Sequence, residues 1–108
     1  MKLDIRKFVG WPSRDCRPIM RLKNEPHELK KKYNLDFSLD KDDLDNFLVS
    51  HFYDEIIGFV VLMRHENAPQ SGTPVYIDSS VDISEAVERL TLVLNLTPAC
   101  INWKTEQL

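Results

Sequence analysis

The chain is poor in the residues on which most small-protein chemistry is built. Its 108 residues include three glycines, Gly10, Gly58 and Gly72, and none has the spacing of a phosphate-cradling loop. The two cysteines, Cys16 and Cys100, stand far apart with no CxxC pair. That excludes a disulfide-dense secreted scaffold, and two lone thiols fit a reducing cytosol, although a single long-range disulfide stays open. Three histidines, His27, His51 and His65, fall on three different elements. None has a partner at metal-ligand spacing, and zinc needs three or four ligands. The run Asp40-Lys41-Asp42-Asp43-Leu44-Asp45 has the acid density of a calcium loop. It fails as one, with Leu44 at the third ligand position, Asp45 at the glycine position and His51 at the bidentate-glutamate position. No metal and no cofactor are expected.

Long apolar runs are missing too. The longest, Ile56 to Met63, is interrupted by Gly58 and covers less than half a bilayer span. The start, Met1-Lys2-Leu3-Asp4-Ile5-Arg6-Lys7, alternates charge and lacks the apolar stretch of a secretion signal. The expected location is the cytoplasm, with no membrane segment.

What is present is an ordinary globular composition, 43% hydrophobic, 29% charged and 9% aromatic. At this length it makes one domain, residues 1–108, with one core. The net charge of −3 conceals a division. Residues 1–33 hold ten Lys or Arg against four acids, a balance of +6; the other 75 hold four against thirteen, a balance of −9. Asp36, Asp40, Asp42, Asp43 and Asp45 crowd together, with Asp54 and Glu55 close behind. Two readings follow: the halves attract each other across the fold beside a solvated loop, or an acidic surface meets a basic partner.

Hydrophobic patterning predicts an α+β domain, a mostly antiparallel sheet of about four to five strands with two helices packed on it. Pro12 and Pro18 forbid a helix through the first 24 residues, where a short strand or two is expected. A helix opens at Asn24 or Glu25 with Pro26 in its first position, runs to Tyr33 and stops at Asn34. Leu44–Tyr53 and Ile56–Met63 read as strands joined at Asp54-Glu55. The second is apolar on both faces, so it belongs at the centre of the sheet, covered on both sides. A surface loop, His65 to Pro74, leads to a strand Val75–Asp78, which Pro74 can head or hold only as an edge. Asp82 and Glu85 have capping-box spacing. Ile83, Ala86, Val87, Leu90, Val93 and Leu94 then repeat at helical spacing until Asn95 and Pro98 stop the helix. Ala99 to Trp103 is expected as the last strand.

Candidate chemistry is thin. Cys16 lies between Arg14 and Arg17, which would lower a thiol pKa, but no adjacent base is visible, so an enzyme is not expected. Trp11, Arg14, Arg17 and Arg21 form a possible phosphate-and-stacking set for nucleic acid, against the acidic pI near 5.5.

From Arg64-His65-Glu66-Asn67-Ala68-Pro69 through Thr73-Pro74-Val75-Tyr76-Ile77-Asp78, then the helix Ile83 to Leu94 and the closing Ile101-Asn102-Trp103, the order of elements resembles small bacterial immunity proteins. The likeness is to those of contact-dependent growth inhibition systems, and covers residues 47–104. It implies a cytoplasmic antidote without catalysis, whose partner is the toxin domain of a secreted effector, often a basic nuclease. A nuclease presents positive charge to phosphate, so an acidic protein can occupy that surface. The candidate toxin-binding residues are Asp36, Asp40, Asp42, Asp43, Asp45, Asp54 and Glu55, with Tyr53 as an aromatic anchor. The alternative is a small nucleic-acid-associated or regulatory module using the basic N-terminal third.

Overall fold

A computed structural model describes residues 3, 4, 16–41, 46–68 and 70–104. The elements are β1 (Cys16–Leu22), α1 (Pro26–Tyr33), β2 (Ser38–Lys41), β3 (Asn46–Asp54), β4 (Gly58–His65), β5 (Thr73–Asp78), α2 (Ile83–Val93) and β6 (Ile101–Lys104). The strands form one sheet in the order β2-β3-β4-β5-β1-β6. Every neighbouring pair is antiparallel. The architecture is thus α+β with two helices, as the patterning implies. The additional strand is β2, which lies in the acidic stretch and has all four side chains exposed.

Both helices begin and end where local chemistry directs. In α1, Glu25 is the N-cap, Pro26 takes the first turn, and the Glu28 carboxylate accepts from the Glu25 amide at 2.9 Å. Asn34 closes it in the left-handed region at φ 57°. In α2, the Asp82 carboxylate accepts from the Glu85 amide at 3.0 Å. Its C-terminus is a Schellman motif: Asn95 has φ 53°, its amide donates to Leu92 O, and the Leu96 amide donates to Thr91 O.

The core lies on one face of the sheet. Met20, Leu22, Phe52, Val60, Leu62, Val75 and Ile77 form one buried cluster with Leu29 of α1 and Ala86, Leu90 and Leu94 of the α2 region. Both helices therefore cover this face. A fully buried Leu is worth about 1.5–3 kcal/mol, so α2 is held chiefly by Leu90 and Leu94. The Tyr33 hydroxyl donates to Leu94 O at 2.6 Å and fastens α1 to the end of α2.

Several boundaries differ from the sequence expectation, and β4 also runs on to His65 rather than ending at Met63. The β3–β4 turn is Glu55-Ile56-Ile57 rather than Asp54-Glu55. Asp54 turns its carboxylate back to accept from the Ile56 and Ile57 amides at 3.0 and 3.2 Å, and Gly58 leaves the turn at φ 81°. Pro74 is neither first in its strand nor at an edge: it is the second residue of an interior strand. This is tolerated because pairing with β4 begins one residue later, at Val75–Leu62. Ala99 and Cys100 belong to a 3₁₀ turn, Pro98–Cys100, so the last strand starts at Ile101.

Candidate partner-binding face

The second face of the sheet carries the candidate site. In an antiparallel pair, residues directly opposite share a face. The β3–β4 register therefore sets Phe47, Val49, His51 and Tyr53 beside His65, Met63, Val61 and Phe59 on the side away from the helices. Val61 continues across β5 to Tyr76, and Tyr76 to Pro18 of β1. Among the described residues, no helix covers this face. Val61 at its centre is 1% exposed and Phe47 is 9%, yet neither joins the helix-covered core. Around them Val49, His51, Tyr53, Phe59, Met63, His65 and Tyr76 are half-buried.

The aromatic side chains form a connected layer. The Phe47 and His65 ring centroids are 5.3 Å apart. Tyr53 meets Phe59 edge-on at 5.2 Å, and His51 meets the same ring at 6.1 Å. Burial raises the Tyr76 phenol above its ordinary pKa, so it is a neutral hydrogen-bonding group at physiological pH. Carboxylates stand at the margins. Asp40 pairs with Phe47 and is exposed. Asp78 pairs with Cys16, on the same face as Tyr76, and its Oδ1 accepts from the Ser80 amide and hydroxyl at 2.9 and 2.7 Å.

The expected acidic set divides. Asp36 and Asp40 are exposed beside and on the edge strand β2, and Glu55 is exposed in the β3–β4 turn. Tyr53 lies in the aromatic layer. Asp42, Asp43 and Asp45 lie outside the described residues. Asp54 is corrected: it faces the helix side, is 6% exposed, and pairs with Arg89 of α2 at 3.0 Å. Burial pulls its pKa upward, but the Arg89 hydrogen bond, the Ile57 and Ile56 amides and the Arg89 charge outweigh that and hold it below the ordinary value. It is a structural carboxylate, not a surface contact.

The basic N-terminal third is likewise partly occupied within the fold. The Arg17 guanidinium donates to Val81 O at 2.9 Å, and the Nε atoms of Arg17 and Arg21 are buried without a hydrogen-bond partner. Trp11 and Arg14 lie outside the described residues. Glu25, expected only as a candidate opener of the first helix, also binds Arg64 at 3.1 Å and accepts from the Gly72 amide at 2.6 Å. Arg64 in turn donates to the carbonyls of Gln70 and Gly72, so this pair fixes the β4–β5 loop. Sequence offered no signal for it beyond an acid early in α1. Cys100 accompanies Thr97 at 3.4 Å, and the Thr97 hydroxyl and backbone, with Lys32 and Lys23, lower its pKa despite some desolvation.

No protein-family profile, curated protein or solved structure matches this chain. Among the described residues no helix is long and apolar enough to cross a membrane.

Proposed function

We propose that the chain is a non-catalytic antidote that binds and neutralises a basic toxin domain, a nuclease in the simplest case, in the manner of bacterial immunity proteins acting in the cytoplasm. The observation that carries this reading is the face that no helix covers among the described residues, with aromatic and apolar side chains at its centre and the carboxylates of Asp40 and Asp78 at its margins. A protein interface has this anatomy: desolvated aromatic anchors in the middle and a polar rim that sets partner choice. Asp36 and Glu55 extend the acidic rim. The carboxylates also repel phosphate, which weighs against direct nucleic-acid binding on this face.

The test is co-expression with the product of the neighbouring reading frame, scored by growth and by co-purification. A toxic neighbour neutralised by this chain, with neutralisation lost in Met63→Arg while the free variant keeps its melting curve, supports the proposal. An innocuous neighbour, or a labelled RNA or DNA that this chain shifts at about 50 mM salt and releases at about 200 mM, overturns it in favour of the nucleic-acid module.

A further inference from the structure

β2 ends the strand order, and among the described residues no strand lies beyond it. In an antiparallel sheet, residues whose amide and carbonyl face one neighbouring strand alternate with residues that face the other. Asn46 directs its carbonyl to the β4 side, where it accepts from the Glu66 amide at 2.8 Å. Its partner in β2 is Lys41, so the backbone groups of Lys41, and of Leu39 before it, point away from β3. Such outward groups are the template on which a further strand assembles. The side chains do not shield them: Ser38, Leu39, Asp40 and Lys41 are all exposed, and Leu39 is 72% exposed.

One outward donor is nevertheless occupied. The Asp40 carboxylate folds back along its own strand and accepts from the Lys41 amide at 2.8 Å. A charged acceptor holds an amide more strongly than a neutral carbonyl does. A strand arriving at this edge must therefore dislodge the carboxylate from the very donor it needs. We infer that Asp40 is an edge guard, whose carboxylate keeps β2 from pairing with β2 of a second copy of this chain. A second copy is the strand to be kept off because the edge is self-complementary once the carboxylate is gone. Antiparallel pairing about a twofold axis at Leu39 sets the two Leu39 side chains together, places Ser38 opposite position 40, and gives each Lys41 amide a carbonyl of the other copy. The assignment concerns the free chain and does not depend on the partner proposed above.

Sedimentation equilibrium of the full chain and its variants tests it. At about 1 M salt the Debye length is about 3 Å, so general repulsion between acidic surfaces is screened. The wild type should remain monomeric. Asp40→Asn keeps an acceptor for the amide and should stay close to wild type, whereas Asp40→Ala should dimerise about tenfold more tightly or better. Asp36→Ala removes an equal charge from a neighbouring exposed position and should leave the chain monomeric. Adding Leu39→Lys to Asp40→Ala should restore the monomer and so place the contact on β2. Equal association of the Asn and Ala variants would overturn the inference, because loss of charge would then suffice. An unchanged Asp40→Ala, an equally strong wild-type dimer, or association that Leu39→Lys does not reverse would each overturn it too.

Discussion

Asp54 connects a turn to a helix thirty-five residues away, through two amide hydrogen bonds and one ion pair. Asp54→Ala orphans the Ile56 and Ile57 amides and strands Arg89, and should cost about 1–3 kcal/mol in urea denaturation. Its pH dependence has a definite sign. The folded carboxyl has a depressed pKa, so its contribution is complete above the ordinary value of 3.8 and is lost as pH falls below that through the folded value. Asn at 54 keeps an acceptor for the amides but cannot titrate. Wild-type stability should therefore converge on that of Asp54→Asn between neutral pH and pH 2, and parallel curves would exclude the ion pair as the cause. Gly58 offers a cleaner backbone test, because a Cβ there meets nothing within 4 Å while φ is 81°. Gly58→Ala should cost about 1 kcal/mol from conformation alone. Neither role was legible from local sequence. Asp54 and Asp40 are the same residue type in one acidic region; the Ile56 and Ile57 amides together with Arg89, distant in the chain, hold Asp54 inward.

Elements were more legible than single residues wherever their signals are local. The cap Asp82, the left-handed stops Asn34 and Asn95, and Pro26 at the start of α1 all act within one helical turn of themselves, and each sits where its chemistry indicates. Replacing Asp82 with Ala should lower stability by about 0.5–2 kcal/mol, and Leu90→Ala, in a fully buried position, by about 2–5 kcal/mol. Thermal or urea melts of the two variants check both, and near-equal losses would mean that α2 is held by its cap rather than by its buried side. Strands were less legible because their evidence is non-local. β2 is recognisable only by its pairing with β3, since its own residues, Ser38-Leu39-Asp40-Lys41, are all exposed. The β3–β4 turn lies later than expected because Ile56 and Ile57, apolar and β-branched, read as the start of a strand, whereas they form the turn and Gly58 occupies its exit. The double apolarity of β4 did announce a strand with two covered faces. Among the described residues, helices cover one of them, and an aromatic layer that apolarity alone does not announce occupies the other.

On the scale of the whole molecule, the division of charge along the chain is only partly cancelled by folding. Residues 34–108 have four cations, and two of them, Arg64 and Arg89, are engaged by Glu25 and Asp54. Among the described residues, the exposed acids Asp36, Asp40 and Glu55 outnumber the exposed Lys41 around β2 and the β3–β4 turn. A surplus of this kind acts at a distance set by the Debye length, about 10 Å at 0.1 M salt, so it governs encounter more than residence. The aromatic centre acts only at contact and so governs dissociation. The two contributions are separable by stopped-flow association with the neutralised partner. Reversing Asp36 and Asp40 to Lys should slow association several-fold at low salt and flatten its dependence on ionic strength, with little change in the dissociation rate. Met63→Arg should do the opposite, leaving the salt slope and shortening the lifetime of the complex. Both charges stand on an exposed edge, so their reversal leaves the buried cluster intact. If the double reversal alters the dissociation rate alone, Asp36 and Asp40 lie within the contact itself, and the acidic rim is part of the interface rather than a guide to it.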